Sequence, residues 1–252
     1  MEFFDNVEST NTMAKELLVQ GETEGLIVTA KTQTAGRGRK GRSWLSPIGG
    51  LYFSILLKPR LSTKNTPLVG LLSSCAVVKS ISALGIEGVQ VKWPNDVLIQ
   101  QYKVAGILSE AVSINDELIG VVVGIGVNQN CSVSDLVGDL QWPATSIIDV
   151  IGEETSNMTL LCSIVNEIDA LLNTVETEQS FDTVLNEWRR VSATLGGQVR
   201  IHETGKTIDG IARDIDSDGA LLIETDEGLL KVLYGDISHI RSDLEDQSDG
   251  VI

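Results

Sequence analysis

The sequence predicts an α+β fold followed by a small β-barrel. Between residues 89 and 128, β-rich runs alternate with short turns, a pattern typical of consecutive antiparallel strands. Two helical segments follow at 159–175 and 181–195. Several short strands with Gly or Asp turns then fill roughly 45 residues, which suits a small barrel. We therefore expect a large domain at 1–193, a barrel domain at 194–242 and an acidic, disordered tail at 243–252.

The first third of the chain adds two helices and two strands. Helices are predicted over 12–20 and 67–85, and strands over 26–30 and 51–58. Ser9 or Asn11 is suited to cap the first helix, and Gly21 to end it. Pro67 occupies the first turn of the second, where its missing N–H costs nothing.

Charge excludes several classes of function. The 252 residues carry 19 Lys and Arg against 35 Asp and Glu, a net charge of −16. Such a surface repels phosphate backbones and anionic lipid, so we expect no nucleic-acid or membrane partner. No apolar run reaches the roughly 18 residues of a membrane span. The start, MEFFDNVESTN, lacks the order of a signal peptide, so the expected location is the cytoplasm.

The ligand sets of metalloenzymes are not visible in the sequence. Three cysteines, at 75, 131 and 162, fit neither a disulfide framework nor a zinc knuckle. His202 and His239 have no HExxH pattern around them. GIGVNQ at 124–129 echoes a dinucleotide fingerprint but has Gln129 at the third glycine position. No GxSxG nucleophile motif occurs.

One window of the chain reverses the overall charge. No Asp or Glu occurs between Glu24 and Glu87, although this window holds nine of the 19 basic residues. Within it, QTAGRGRKGRSW at 33–44 is too polar for a core and too rich in glycine for a helix. Glycines let a backbone approach a ligand, and guanidinium groups match carboxylate or phosphate oxygens. The loop is therefore an anion site, a solvated basic loop or an RGG-like nucleic-acid tether.

Five short motifs in register carry a resemblance to a known family. They are STN at 9–11, QTAGRGRKGRSW at 33–44, KWPND at 92–96, KVAGIL at 103–108 and GIGVN at 124–128. In this order and spacing the chain closely resembles the biotin protein ligases from about residue 5 to 241. The resemblance includes GIARDIDSDGALLIE, which is similar to that family's SH3-like barrel.

The resemblance implies a fold and a reaction. The fold is a mixed sheet with helices, related to class II aminoacyl-tRNA synthetases, with a C-terminal SH3-like barrel. The family activates biotin with ATP as biotinyl-5′-AMP and transfers it to a lysine of a biotin carboxyl carrier domain. Mg²⁺ is expected with ATP. Fixed positive charge, which the basic loop offers, is what joining a carboxylate to a phosphate requires.

Residue roles also follow from the resemblance. The expected biotin contacts are Ser9, Thr10, Asn11, Gln33, Arg37, Gly38, Arg39, Lys103 and Gly106. The expected nucleotide contacts are Arg42, Trp44, Lys92, Asn95 and Asn128, with Mg²⁺ near Asn95. The expected catalytic residues are Arg39, which retains the adenylate, Lys103, which contacts the biotin carboxylate and the bridging phosphate, and Asp96, a candidate base for the acceptor lysine. Ordinary helix capping and core packing remain the alternatives for the polar and aromatic members.

Two departures from the family pattern bear on function. Lys40 stands where arginine is frequent, which keeps the charge and loses the planar fork. The catalytic motifs begin within ten residues of Met1, so we expect a ligase without an N-terminal operator-binding domain. A lipoate or octanoate ligase on the same fold and a non-catalytic biotin-binding regulator are the alternative functions. A homodimer is possible.

Overall fold

The computed structural model describes residues 1–58, 65–132, 143–203, 206–233 and 235–239. The strands are β1 (Glu2–Val7), β2 (Ile27–Gln33), β3 (Leu51–Leu57), β4 (Val89–Lys92), β5 (Asp96–Ile99), β6 (Tyr102–Ile114), β7 (Glu117–Val127), β8 (Gln198–Glu203), β9 (Lys206–Ile215), β10 (Leu221–Thr225), β11 (Gly228–Val232) and β12 (Asp236–His239). The α-helices are α1 (Thr10–Val19), α2 (Thr66–Ser82), α3 (Ile147–Ile151), α4 (Asn157–Glu178) and α5 (Asp182–Arg190).

Seven strands form the main sheet, in the order β1-β2-β3-β7-β6-β5-β4. Only β1 and β2 are parallel, because α1 connects them, whereas short turns make β4 to β7 antiparallel. The turn between β6 and β7 is Asn115-Asp116, with φ of 50° and 64°. Asn and Asp tolerate this left-handed conformation, which suits a two-residue hairpin. The predicted antiparallel run between residues 89 and 128 is thus confirmed.

Helices cover both faces of this sheet. On one face α2, α4 and α5 build the larger core, in which Leu72, Ile164 and Trp188 are fully buried. On the other face α1 packs Ala14 and Leu18 against β3 and β7. Among the described helices, α4 alone is long and apolar enough to cross a membrane. Its apolar face contributes to the larger core.

A second, five-stranded antiparallel sheet has the order β11-β10-β9-β8-β12. It is joined to the larger unit by specific contacts. The indole Nε1 of Trp93 donates to the Gly219 carbonyl at 3.1 Å, and Arg189 Nε donates to an oxygen of Asp214 at 2.6 Å. The small antiparallel unit at the C-terminal end is confirmed. Closure of its strands into a barrel and the boundaries at 193 and 242 remain predictions.

The α+β class is confirmed, but several elements differ from the prediction. Strand β1 was not predicted, because most of its side chains are exposed at the sheet edge and leave no alternating pattern. Helices α2 and α5 end at Ser82 and Arg190, earlier than expected. Helix α3 and strand β12 are too short to give a periodic signal. The predicted tail at 243–252 lies outside the described residues.

Candidate active site

The basic segment after β2 is a loop, as predicted. Its backbone turns back on itself, with Gly38 N donating to Arg42 O at 2.7 Å and Trp44 N donating to Gly36 O at 2.8 Å. Lys40 adopts a left-handed conformation at φ 54°. A Cβ atom on Gly36 would lie 2.4 Å from the carbonyl oxygen of Trp44. The loop therefore closes tightly only because glycine occupies that position.

Three glycines form a flat surface on the face of the sheet that carries α1. Gly106 on β6 pairs with Gly126 on β7, and Gly124 lies two residues before Gly126, on the same face. We call these three residues the glycine floor. The Trp44 side chain lies across it, since a Cβ on Gly126 would be 2.5 Å from the indole Nε1 and one on Gly106 would be 2.8 Å from Cζ3. This indole Nε1 is buried and has no hydrogen-bond partner among the described residues.

A polar cluster stands at the other side of the floor, where α1 begins. It consists of Thr10, Asn11, Gln33 and Ser54. Gln33 Oε1 accepts from the backbone N of Thr10 at 2.9 Å, so the amide of Gln33 caps a free N–H of the first helical turn. The hydroxyl of Ser54 lies 2.6 Å from Asn11 Oδ1 and 2.8 Å from Thr10 Oγ1. Ser9 occupies the N-cap position and is buried, but its side chain makes no capping hydrogen bond to the described helix.

The orientation of the Asn11 amide is fixed by its partners. Its Nδ2 donates to the carbonyl of Leu108 at 3.2 Å and to Glu110 Oε2 at 2.9 Å. Both partners accept only, so the nitrogen must face them and the oxygen must face the floor. Gly124 makes room for that oxygen, because a Cβ there would lie 1.9 Å from Asn11 Oδ1.

Glu110 connects the polar cluster to the basic loop. Its Oε1 lies 2.9 Å from Lys15 Nζ and 3.4 Å from an Arg37 guanidinium nitrogen. Burial alone would raise the pKa of this carboxyl. Hydrogen bonds from Asn11 and Lys15 and the charges of Lys15 and Arg37 outweigh burial and hold the pKa below the usual 4.5.

The lowered pKa of Glu110 predicts how its contribution to stability depends on pH. Ionised Glu110 stabilises the fold, so its contribution is complete above pH 4.5 and is lost as pH falls through the depressed pKa. Glu110→Gln resembles the protonated form. Urea unfolding at several pH values from 3 to 7 should therefore show a difference between wild type and variant that shrinks as pH falls below 4.5. A difference that stays constant would contradict this assignment.

Lys103 and Asp96 form an ion pair beside the Trp44 ring. Lys103 Nζ lies 2.7 Å from Asp96 Oδ1 and 5.2 Å from the centre of the Trp44 ring. Their side chains are 25% and 17% exposed, so both remain accessible to a ligand. A cation in this position can bind an anion so that the rest of the ligand lies over the glycine floor. Such an anion would replace Asp96 as the partner of Lys103 or bind next to it.

Other predicted residues have mainly structural partners here. Asn95 Nδ2 donates to the Ile107 carbonyl at 2.9 Å and ties the turn after β4 to β6. Asn128 is buried, and its Nδ2 donates to the carbonyl of Thr145 at 3.1 Å. Lys92 is only 5% exposed. Their predicted contacts with nucleotide remain predictions.

The structure brings together most of the predicted residues from distant parts of the chain. Thr10, Asn11, Gln33, Arg37, Trp44, Asp96, Lys103 and Gly106 are linked through the contacts above. Arg39 instead reaches toward the C-terminal sheet, with its Nη1 3.5 Å from the carbonyl oxygen of Gly235. Arg42 and Gly38 belong to the same loop. The floor glycines at 124 and 126 had a signal, since alternate glycines in a strand mark a close approach, but Ser54 and Glu110 had none.

Comparisons with known proteins agree with this arrangement. Residues 3–128 match the biotin/lipoate A/B protein ligase family, and residues 194–240 match the biotin protein ligase C-terminal domain. The bifunctional ligase/repressor BirA of Bacillus subtilis is 35% identical over 93% of this chain and 72% of its own length. The biotin--[acetyl-CoA-carboxylase] ligase of Mycobacterium tuberculosis is 28% identical over 94% of this chain and 89% of its own.

A solved structure gives the same result. The biotin protein ligase from Aquifex aeolicus in complex with biotin and ATP superposes with a TM-score of 0.81 and 30% identity, over 95% of this chain and 98% of that one. The extent of these similarities covers both the seven-stranded sheet with its basic loop and the C-terminal sheet. The chain therefore belongs to the biotin protein ligase family.

Proposed function

We propose that the protein is an ATP-dependent ligase that activates biotin as biotinyl-5′-AMP and transfers it to a lysine of a biotin carboxyl carrier protein. The observation that carries this proposal is the accessible Lys103 ammonium beside Trp44, which lies over the glycine floor. An acyl chain can lie against this flat surface, which carries no side chains of its own. The cation at the end of the surface can bind the carboxylate of that chain. The relatives named as biotin ligases and the neighbour that binds biotin and ATP support the same activity.

The first half-reaction needs charge and positioning rather than a protein nucleophile. A carboxylate oxygen of biotin attacks the α-phosphorus of ATP, and the bond to the pyrophosphate oxygen breaks, releasing pyrophosphate. Lys103 holds the carboxylate and offsets the repulsion between the two anions. Arg37, Arg39 and Arg42 supply further positive charge from the loop. Arg39 closes over the adenylate and limits its escape.

The ring of biotin is assigned to the polar cluster. Its ureido group has one carbonyl acceptor and two N–H donors. Asn11 Oδ1 is suited to accept from an N–H, because its own nitrogen is held away from the floor. The hydroxyl group of Ser9 and the second N–H of Gln33 are suited to donate to the carbonyl. The Thr10 hydroxyl donates to Gln33 Oε1 at 3.2 Å and would have to exchange this partner for the ligand. Gly106 leaves space for the acyl chain, and Gly38 for closure of the loop.

The nucleotide is assigned to the opposite end of the site. Trp44 would stack on adenine after leaving the floor, while Lys92, Asn95 and Asn128 would lie near the phosphates and the base. Mg²⁺ would enter with ATP, because this ion prefers phosphate and water oxygens to complete protein cages. Asn95 fits as an oxygen ligand, since its nitrogen is tied to Ile107 and its Oδ1 remains the acceptor. Bound Mg²⁺ would neutralise phosphate charge.

Asp96 is proposed to act in the transfer step only. The acceptor lysine has an unperturbed pKa near 10.4, so it must lose a proton before attacking the mixed anhydride. Asp96→Asn keeps the shape and a hydrogen bond to Lys103 while it removes the base. We expect transfer from preformed biotinyl-5′-AMP to slow about 100-fold. Pyrophosphate release with biotin, ATP and Mg²⁺ but no acceptor should change less than about 5-fold, and an unchanged transfer rate would exclude this role.

The proposed activity is tested by incubating the protein with biotin, ATP and Mg²⁺. Pyrophosphate release together with a bound species of the mass of biotinyl-5′-AMP is the expected result, followed by labelling of a carrier domain. A product with lipoate or octanoate but not biotin would change the substrate and keep the fold. No product with any acid, together with biotin binding, would identify a non-catalytic regulator.

Partners and location complete the proposal. The acceptor is a biotin carboxyl carrier domain in the cytoplasm, and neither nucleic acid nor membrane is a partner. The net charge of −16 supports this, because it opposes binding to polyanions. A gel shift at moderate salt would contradict it. Analytical ultracentrifugation with and without biotin and ATP decides whether a homodimer forms.

A further inference from the structure

We propose that Glu110 is a positioning residue that determines which atom of Asn11 faces biotin and that ties this residue to the basic loop. The inference rests on the proposed function and extends it to a residue that touches no ligand. Glu110 is on β6, and its carboxylate has two oxygens with separate tasks. Oε2 accepts from Asn11, while Oε1 pairs with Lys15 and Arg37.

Orientation is the first task. An asparagine amide can face a ligand with its oxygen or its nitrogen, and the two differ little in shape. Around Asn11, Glu110 and the Leu108 carbonyl both require hydrogen atoms, and the Ser54 hydroxyl lies 2.6 Å from the oxygen. The two acceptors specify one orientation, in which Oδ1 faces the Ser54 hydroxyl and can also accept from a ligand N–H. Without Glu110, one Nδ2 hydrogen has no acceptor, and the Leu108 carbonyl is the remaining described acceptor that holds the amide in this orientation.

Coupling to the loop is the second task. Arg37 is the second residue of the GRGRKGR segment at 36–42, and Glu110 is the acidic group that pairs with it among the described residues. The same carboxylate therefore positions the amide that recognises the ring and one guanidinium of the loop that covers the chain. Removal of the charge should loosen the loop even when the amide keeps its acceptor.

Three variants separate these tasks from simple stabilisation of the fold. Glu110→Ala removes the acceptor and the charge. Glu110→Gln keeps an oxygen that can accept from Asn11 but loses the charge. Lys15→Gln is the matched control. It breaks the 2.9 Å ion pair between Lys15 and Glu110 and leaves the contacts of Glu110 with Asn11 and Arg37 in place.

Calorimetric titration with biotin alone, without ATP, is the first measurement. We expect Glu110→Ala to weaken binding at least about 10-fold, a loss typical of one charge-assisted hydrogen bond. Glu110→Gln should recover most of that loss, and Lys15→Gln should stay within about 2-fold of wild type. Wild-type affinity in Glu110→Ala, or an equal loss in Lys15→Gln, would overturn the inference.

Ligand specificity gives a readout that lost stability alone would not change. Two biotin analogues carry CH₂ in place of one or the other ring N–H, and the analogue that lacks the N–H facing Asn11 would leave Oδ1 without that donor. The wild type should reject one of them about 100-fold, and Glu110→Ala should reject it less than about 10-fold. Equal discrimination in both proteins would overturn the inference. A wild type that does not bind biotin at all would instead remove the proposed function.

Loop mobility tests the coupling separately. Trypsin cuts after Arg37, Arg39, Lys40 and Arg42, so its cleavage rate in the folded protein reports opening of the loop. Both Glu110 variants should be cut faster than wild type, whereas Lys15→Gln should not. If Glu110→Gln is cut at the wild-type rate, the charge of Glu110 does not hold the loop.

Discussion

Lys103→Met is expected to reduce formation of biotinyl-5′-AMP about 1,000-fold, the upper end of the loss seen when one fixed electrostatic contact is removed. Methionine keeps most of the length and apolar stem of lysine, so the change removes the ammonium and little else. Asp96, 2.7 Å away, then stands beside the biotin carboxylate without its cation. Two anions and no counter-charge would oppose both binding and reaction.

The measurement is pyrophosphate release at saturating biotin and ATP, together with the KM for each substrate. Lys31→Met is the matched control, because Lys31 also pairs with an aspartate, Asp5, at 2.7 Å, but on the exposed edge of the sheet. That exposed ion pair should contribute little to the stability of the fold. Equal rates in Lys103→Met and Lys31→Met would exclude Lys103 from the chemistry. Rescue by Lys103→Met/Asp96→Asn would show that repulsion from Asp96 causes part of the loss.

Local sequence predicted the parts of the fold that local interactions determine. The hairpin of β6 and β7 was predictable because Asn115 and Asp116 favour its turn and the strands on either side are rich in β-branched residues. Helix α4 was predictable from its periodicity. Strand β1 was not, since its strand conformation depends on pairing with β2, more than twenty residues away.

The candidate site, like the fold, was predictable from the sequence only in part. The motifs led to Asn11, Trp44 and Lys103 one by one, but the contacts among them depend on the fold. Asn11 and Glu110 are 99 positions apart, and nothing near Glu110 in the sequence distinguishes it from a surface acid. The glycines of GIGVNQ at 124–129 echo a dinucleotide fingerprint, but Gln129 at the third glycine position argues against one. Their actual use is steric, because they admit the Asn11 side chain and the Trp44 ring.

Gly124→Ala is expected to raise the KM for biotin more than about 100-fold, equivalent to about 2.7 kcal/mol. Its Cβ would lie 1.9 Å from Asn11 Oδ1. The Asn11 side chain cannot move away easily, because hydrogen bonds to the Leu108 carbonyl, Glu110 and Ser54 hold it in place. The overlap should also lower the free energy of unfolding by about 1–3 kcal/mol. The KM for ATP should change less than about 3-fold, since the overlap lies at the ring end of the site.

Gly70→Ala is the control for a glycine on a packed element. Its Cβ would lie 3.6 Å from Ser109, an ordinary contact, and alanine is favoured within α2, so stability should rise by about 1 kcal/mol with biotin affinity unchanged. The double variant Asn11→Ala/Gly124→Ala separates the two effects of the overlap. Without the Asn11 side chain the clash disappears, so stability should recover while biotin affinity stays low. Recovery of affinity as well would mean that Asn11 does not recognise the ring and that Gly124 matters only for packing.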